Sequence, residues 1–569
     1  MPASAGAFLP GGRVMDWTTA CPDWERRIVA RESLVPMAPL FPEEAKTSLG
    51  FFRELKIVDA PGSPTMGEAC RPWIMDFVGA VFGSYDEETG KRLITEYMLL
   101  ISKKNAKSTL AAGIMITALL RNWRESAEFL ILAPTIEIAN NSFFPARDMV
   151  RKDDELSSLL QVQDHVRTIT HRGNGATLKV VAADNDSVGG KKATGVLVDE
   201  LWLFGKRADA ENMLREACGG LASRPEGFTI FLSTQSDDPP AGVFRQKLMY
   251  ARGVRDGTIE DKRFLPVLYE FPKKMLDAGQ HREKSNFYVT NPNMGASVDE
   301  DFLIREKMKA EQAGEDSMRG FLAKHLNVEI GISLRSERWV GADYWERCAD
   351  PALTLDDVIA ASDVLEVGID FGGADDWFAL CVLGRHATTG AWLHWCKSWA
   401  HTDAFERRKS EAARWRDFIA QGDLVEVAAI DDQITEAVSI VMQCEATGLL
   451  DKVAVDTYKV QSLDDALTEA GFDRERIVGI PQGWKLIGAI YAIERKLAAG
   501  KFRHGGRPIM AYAIGNAKAV PKGNNIAIEK QTAGASKIDP VLALFHAASA
   551  LSMAPAQNVI GSDYELTTA

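Results

Sequence analysis

A chain of 569 residues is too long for one hydrophobic core and predicts three to four domain-sized units. Its 46% hydrophobic and 25% charged residues are ordinary for soluble globular proteins, and a net charge of −13 argues against a general basic coat for nucleic acid, though local basic patches can still bind it. The seven cysteines are scattered, with no CxxC pair or Cys/His cluster, and the N-terminus lacks a basic-then-apolar signal pattern; zinc and disulfide frameworks are unsupported and a reducing interior is expected.

Residues 1–70 are rich in Pro and Gly and weakly periodic, predicting an irregular lead-in with one or two helices. From 71 to 250, apolar runs alternate with helical patterns, which predicts an α/β fold with a mostly parallel sheet. Residues 92–109 are the most informative stretch: a buried strand, a tight polar loop, then a helix opening at Ser108. The loop reads Ser102-Lys103-Lys104-Asn105-Ala106-Lys107-Ser108-Thr109. Backbone N–H groups at such a junction point at an anion. Lys107 would reach the β- and γ-phosphates of a nucleotide, and the Ser108 hydroxyl would ligate Mg²⁺. Against G-x-x-x-x-G-K-[ST], Ile101 and Ala106 stand where the glycines belong. If position 106 needs positive φ, Ala costs roughly 1–2 kcal/mol there. The plain alternative is a strand–helix turn with surface lysines. The apolar stretch 110–120 that follows is too short to span a bilayer.

Two further strand candidates, 128–133 and 176–182, precede Gly195-Val196-Leu197-Val198-Asp199-Glu200, an apolar run ending in two acids. Open α/β sheets place ligands at the C-terminal ends of parallel strands. There Asp199 would hold Mg²⁺ and Glu200 would orient and polarise the attacking water. A strand at 228–235 ends in Ser233-Thr234-Gln235, which could sense the γ-phosphate or serve as an ordinary strand exit. Residues 251–335 are helix-rich and charged and predict a lid or subdomain; 336–355, centred on 336–350, predict a connector.

Past 355 the pattern restarts. Strands at 364–370, 378–383 and 392–399 form a meander, with a turn at Thr388-Thr389-Gly390, and a fourth strand covers 452–456. Asp370 ends the first, Asp456 ends the fourth, and Asp539 caps a final helix. This is the layout of a ribonuclease H-like nuclease over 356–555, with 556–569 as a tail. In-line hydrolysis of a phosphodiester needs an activated water and a stabilised leaving oxygen, which two Mg²⁺ or Mn²⁺ ions supply, and hard cations want oxygen ligands. Asp370 would bridge the ions, and Asp456 and Asp539 would each hold one. Asp375 and Asp376 could assist, and Asp431 or Asp432 could replace Asp456. Lys501, Arg503, Arg507, Lys518, Lys522, Lys530 and Lys537 lie in a stretch opposed only by Glu529, and interleaved Gly and Pro suggest basic turns.

A phosphate-loop ATPase followed by a ribonuclease H-like nuclease resembles the large terminase subunit of tailed bacteriophages. The likeness rests on Ser102–Ser108, which is similar to an atypical phosphate loop often reading R-K-N-G-K-S and departs from it at Lys103 and Ala106. It also rests on Ala133-Pro134-Thr135, the Asp199-Glu200 pair, Ser233-Thr234-Gln235 as a coupling motif, Gly368-Ile369-Asp370, Val455-Asp456, and Asn516, Lys530 and Lys537-Ile538-Asp539. It spans roughly 65–555. The resemblance implies a motor that hydrolyses ATP to push double-stranded DNA through a portal protein into a capsid, with a nuclease that cuts concatemers. It further implies a small terminase subunit as partner, a homo-oligomeric ring on the portal, the host cytoplasm, and no membrane. A basic residue that completes a neighbour's ATP site in some members would be Lys191, Lys192, Arg147 or Arg151. Trp73 stands where an adenine-side Trp-Gln is common, and Ile74 replaces the Gln. An ATP-dependent helicase-nuclease of DNA repair and a non-enzymatic prophage relic are the alternatives.

Overall fold

In the computed structural model, residues 17–182, 193–207, 209–330, 339–372, 376–456, 461–481, 483–522, 525–530 and 537–553 are described. The chain divides into two units between Ile330 and Gly331. The candidates Lys191, Lys192 and Asp375 and the tail 556–569 lie outside the described residues.

The first unit is built on eight strands: β1 (Glu96–Leu100), β2 (Glu128–Ala133), β3 (Leu160–Gln163), β4 (Thr168–His171), β5 (Thr177–Ala182), β6 (Ala193–Val198), β7 (Phe228–Ser233) and β8 (Phe264–Leu268). Their order is β3-β4-β5-β2-β6-β7-β1-β8. From β5 to β8 every pairing is parallel, while β3 and β4 add antiparallel at one edge. The parallel strands are apolar runs because helices cover both faces, and β6 and β7 are buried at every residue. One consequence of the order matters for chemistry. β7 lies between β1 and β6, so Ser233 emerges between the loop after β1 and the acids after β6.

The loop after β1 leads into the helix Lys107–Arg121, which is buried along most of its length. Gly113 lets it approach the lead-in closely: a Cβ there would stand 2.7 Å from the Phe52 ring. Phe52 belongs to the helix Pro42–Glu54 and is fully buried, so residues 42–54 form part of this core. The segment 251–335, expected to be a helical lid, first contributes β8 to the sheet edge beside β1 and then supplies the helices Glu300–Ala313 and Glu315–Leu326.

The second unit carries β9 (Ser362–Phe371), β10 (Trp377–His386), β11 (Trp392–His401), β12 (Leu424–Val427), β13 (Leu450–Asp456), β14 (Ile477–Ile480) and β15 (Phe502–His504), plus a hairpin of β16 (Ala517–Lys522) and β17 (Asn525–Lys530). The main sheet runs β12-β11-β10-β9-β13-β14, with β15 also paired to β11. β9, β10 and β11 form the expected antiparallel meander, and β13 joins β9 in parallel. The last helix, Asp539–Leu551, packs across β9, and Gly368 makes that approach possible: a Cβ there would lie 2.0 Å from the Ala543 carbonyl oxygen. The expected connector 336–355 needs correction. Its described part places Trp339 and Trp345 in this unit's core, both essentially inaccessible, with Trp339 edge-on to Phe545 at 5.3 Å. Two large aromatic side chains there have more apolar surface to bury than a linker could leave in water.

Candidate active sites

The loop 101–106 is held from several directions. Ile101 N–H donates to the Ser233 carbonyl at 3.0 Å and Lys103 N–H to the Lys324 carbonyl at 2.8 Å. The Asn105 amide donates to the Ser102 carbonyl (3.1 Å) and to Asn291 Oδ1 (2.8 Å), while its own oxygen accepts from Asn293 N–H (3.1 Å). Lys104 and Ala106 both take left-handed backbone, φ 72° and 59°. The glycine missing at 106 is therefore missing where the turn wants one, at a cost of roughly 1–2 kcal/mol, and the asparagine network over-determines the turn. This is backbone strain that the surrounding hydrogen bonds hold in place. Lys103 and Lys104 are exposed, and Ser108 and Thr109 are half-buried at the helix start.

Lys107 is buried and its ammonium forms an ion pair with Glu200, with Asp199 Oδ1 at 3.5 Å. Burial alone would pull the ammonium down, but the two carboxylates outweigh it and its pKa is raised. Burial pushes Asp199 up despite Lys107, with Glu200 adding to the rise. Glu200 goes the other way: burial opposes ionisation, but Lys107 and the Trp202 indole hold it below the usual carboxylate range. Ser142 donates to Asp199 Oδ2 at 2.8 Å, Glu200 N–H donates to Asp199 Oδ1 at 2.9 Å, and Trp202 Nε1–H donates to Glu200 Oε2 at 2.6 Å. Glu200 itself sits at φ 53°. The sequence-predicted lysine and acid pair thus meet, 93 residues apart, at the C-terminal edge of the sheet.

Ser233 Oγ accepts from Trp202 N–H (3.1 Å) and donates to the Thr234 carbonyl (2.8 Å), and Gln235 N–H donates to Asn327 Oδ1 (2.8 Å). The Ser102 and Thr234 hydroxyls and the Gln235 Nε2 group are buried without a partner. Three orphaned polar groups beside the loop are what a site built for a polar ligand leaves in its absence. Trp73 donates to Asn293 Oδ1 at 2.9 Å and walls a cavity of about 350 Å³ with Arg71, Asp76, Tyr269, Tyr288 and Asn291. Asn291 thus borders both this cavity and the phosphate loop. Arg147 is engaged with Asp148 (2.7 Å) and Asp164 (3.5 Å), and Arg151 with Asp164.

In the second unit, Val455 pairs with Ile369, so Asp456 and Asp370 come next on adjacent parallel strands. Asp539 starts the helix that crosses β9. Burial drives Asp370 well above the carboxylate range, and the charges of Asp539, Asp456 and Asp376 drive it further. Asp539 is pushed up to about 7 by burial and Asp376, against the pull of Lys530 and Lys537. Asp370 thus lies within reach of the charges of Asp539, Asp456 and Asp376. Asp539 Oδ2 is buried without a partner. Asp376, one of the expected assistants, goes the other way: burial opposes ionisation, but Lys537, which pairs with it, and Lys530, 3.0 Å away, hold its carboxyl below the usual range. Among the described residues, no group of three or more Asp, Glu, His or Cys side chains is placed, as it stands, to hold a metal ion; the Lys530 and Lys537 ammonium groups supply positive charge at the cluster instead. Buried, mutually repelling carboxylates with an orphaned oxygen form an oxygen donor set that fits a divalent ion. Asp431 and Asp432 do not replace Asp456: they are exposed in the first turn of the helix Ile430–Glu445.

The basic stretch divides. Lys530 and Lys537 turn inward to Asp376, Arg503 reaches Asp350 (3.3 Å) and Arg507 reaches Asp423 (3.3 Å), so it is not one continuous basic face. Sequence reasoning missed Ser142, Trp202, Asn291, Asn293, Lys324 and His546. His546 Nδ1 lies 2.9 Å from the Ile369 carbonyl and ties the final helix to β9 beside Asp370. Its position seven residues after Asp539, two helical turns along one face, was the available signal.

Comparison with known proteins agrees across the chain. The family pattern for the terminase large subunit ATPase domain matches residues 72–253, and that for the terminase large subunit endonuclease domain matches residues 260–554. The large terminase subunit of Enterobacteria phage HK97 is 22% identical over 487 residues, covering 84% of this chain and 88% of that one. Protein YmfN of Escherichia coli strain K12 is 24% identical over 270 residues, 45% of this chain and 57% of that one. The crystal structure of the HK97 large terminase aligns over 89% of this chain and 99% of its own, at 20% identity and a TM-score of 0.47. The chain belongs to the terminase large subunit family: it is a DNA-packaging motor that joins an ATPase to a metal-dependent endonuclease.

Proposed function

We propose the following division of labour. Lys107 binds the β- and γ-phosphates of ATP, the loop Ser102–Lys103–Lys104–Asn105–Ala106 and Thr109 surround them with N–H groups and hydroxyls, and Ser108 and Asp199 hold Mg²⁺. The base lies in the cavity walled by Trp73 and Tyr269. Glu200 orients the attacking water and accepts its proton, and Ser233, Thr234 and Gln235 pass the state of the γ-phosphate to the rest of the unit. In the second unit, Asp370, Asp456 and Asp539 hold two Mg²⁺ or Mn²⁺ ions. Divalent ions supply neutralisation of phosphate charge in the first site and water activation with leaving-oxygen stabilisation in the second. Asp376 holds Lys530 and Lys537 ready to face the DNA phosphates.

The observation that carries the first site is the buried Lys107–Glu200–Asp199 cluster. An ammonium this deep is stable only against anions, and triphosphate charge would draw it off Glu200, freeing the carboxylate for water. Ordering of the active site would then follow nucleotide binding. The working assembly is a ring of copies docked on a portal protein in the host cytoplasm, with a small terminase subunit as DNA-recognition partner and Lys191, Lys192, Arg147 or Arg151 completing a neighbour's site. Steady-state turnover tests the first site: Lys107→Ala and Glu200→Gln each lose ATP hydrolysis by at least about 10²-fold and retain metal-dependent DNA cleavage. Unchanged ATP turnover in Glu200→Gln removes the assignment.

A further inference from the structure

Trp202 follows the acid pair in the short helix Leu201–Phe204, and its indole N–H donates to Glu200 Oε2 at 2.6 Å. On the face of that indole sits the Lys324 ammonium, 3.0 Å from the ring centroid. Lys324 comes from the last turn of the helix Glu315–Leu326 and is nearly buried. Its Nζ donates to the Gln235 carbonyl at 2.9 Å, and its own carbonyl accepts from Lys103 N–H at 2.8 Å. Asn327, capping the helix at φ 53°, accepts from Gln235 N–H and donates to the Tyr269 carbonyl, each at 2.8 Å. One helix turn therefore touches the phosphate loop, the coupling segment and the indole that grips the proposed water-orienting acid.

A buried ammonium is an expensive way to pack this spot, since a neutral stem would fill it at no desolvation cost. Its nearest carboxylate, Asp237, stands 3.9 Å away and is shared with Lys206. What the charge adds is specific to an aromatic face: a cation over the ring is held by the quadrupole and draws electron density from the indole, making its N–H a stronger donor. We infer that Lys324 is a positioning residue for ATP hydrolysis, clamping the Trp202 indole so that its N–H fixes Glu200, and coupling that grip to the docking of the helix Glu315–Leu326 on Gln235. The inference rests on the reading of Glu200 given above. The groups facing the ammonium are Asp237, Lys103, Glu200 and Lys206; burial dominates and brings Lys324 down to about 7. The clamp is therefore charged below neutral pH and weakens above it in nucleotide-free protein.

The test is ATP turnover by the full chain carrying Lys324→Met, Lys324→Arg, Trp202→Phe and the Lys324→Met/Trp202→Phe pair. Lys324→Met should lower kcat by about tenfold or more with KM changed by less than about threefold, and Lys324→Arg should recover several-fold. The pair should be no worse than the weaker single variant, because the lysine acts through the indole. Metal-dependent DNA cleavage and nucleotide binding by the same preparations report folding. Should Lys324→Met not fold, the pH profile decides: wild-type kcat/KM carries a descending limb near pH 7 that Trp202→Phe lacks. Unchanged kcat in Lys324→Met, a KM rise at constant kcat, fully additive losses, or a limb that persists in Trp202→Phe each overturn the inference. Glu200→Gln separates the two claims: if it remains active the reading of Glu200 fails, and if it is inactive while Lys324→Met keeps wild-type kcat, only the clamp fails.

Discussion

Gly368→Ala tests how closely the last helix must sit on β9. The new methyl would lie 2.0 Å from the Ala543 carbonyl oxygen, 2.5 Å from Ala547 N and 2.9 Å from Ala547 Cβ. Ordinary contact begins at 3.4 Å, so the helix Asp539–Leu551 must retreat from β9 by about 1.4 Å at its closest point. Backbone atoms cannot swing aside as a side chain tip would, and overpacking of this kind costs about 1–3 kcal/mol. The same retreat carries Asp539 away from Asp370, and it strains the His546–Ile369 bond of 2.9 Å that pins the helix to the strand. A displacement of about 1 Å in a catalytic group is worth roughly 10²-fold in rate. DNA cleavage with Mg²⁺ or Mn²⁺ should therefore fall by about two orders of magnitude, while ATP turnover in the other unit stays within about twofold. Near-native circular dichroism and resistance to limited proteolysis would show that the unit still folds. Cleavage within about threefold of wild type would refute the reasoning, because it would mean the position of Asp539 against β9 is not what the nuclease depends on.

The remaining predictions do not depend on the approach of that helix to Gly368. Asp539 has a folded pKa near 7 against an ordinary value of 3.8, so it stabilises the metal-free fold fully below its unfolded pKa and loses that contribution as pH rises through about 7. Thermal unfolding of metal-free protein should show a fall in stability across that window that Asp539→Asn flattens, and more divalent ion should be needed for cleavage at pH 6 than at pH 8. Ala106→Gly removes a left-handed alanine at φ 59°; it should raise unfolding stability by up to about 1 kcal/mol with ATPase activity retained, the gain limited by the greater freedom of glycine in the unfolded chain. Trp73→Phe deletes the 2.9 Å bond to Asn293; calorimetric titration should show about fivefold weaker nucleotide binding, equivalent to roughly 1 kcal/mol, with little change in kcat.

What the sequence disclosed was whatever a parallel sheet forces into one place. β1, β6, β7, β9 and β13 are apolar runs closed by polar residues, and since such strands present their C-terminal ends to ligands, Lys107, Asp199, Glu200, Asp370 and Asp456 could be paired before any coordinates. The meander β9–β11 was legible for a related reason: its turns are short and local. Partners that come from afar left no such trace. Lys324, Asn291 and Asn293 reach the phosphate loop across about 190 to 220 residues, and nothing in their spacing marks them. The basic stretch was legible only as basic turns, because a run of charges does not say where each one points: the β17 end and the residues before the last helix aim Lys530 and Lys537 inward at Asp376. Residues 339–350 looked like a linker because their elements are short; Trp339 and Trp345 make them core. The short strands β3, β4, β12, β14 and β15 were missed because three or four residues carry too little pattern to register.

The most direct measurement is anomalous scattering from crystals of the full chain soaked in Mn²⁺. Two peaks about 3.5–4 Å apart are expected, bounded by Asp370, Asp456 and Asp539, with Lys530 and Lys537 still clustered at Asp376 or turned toward solvent where DNA phosphates would lie. Manganese absent from that cleft, or bound by other side chains while the three carboxylates stand clear of it, would contradict the account.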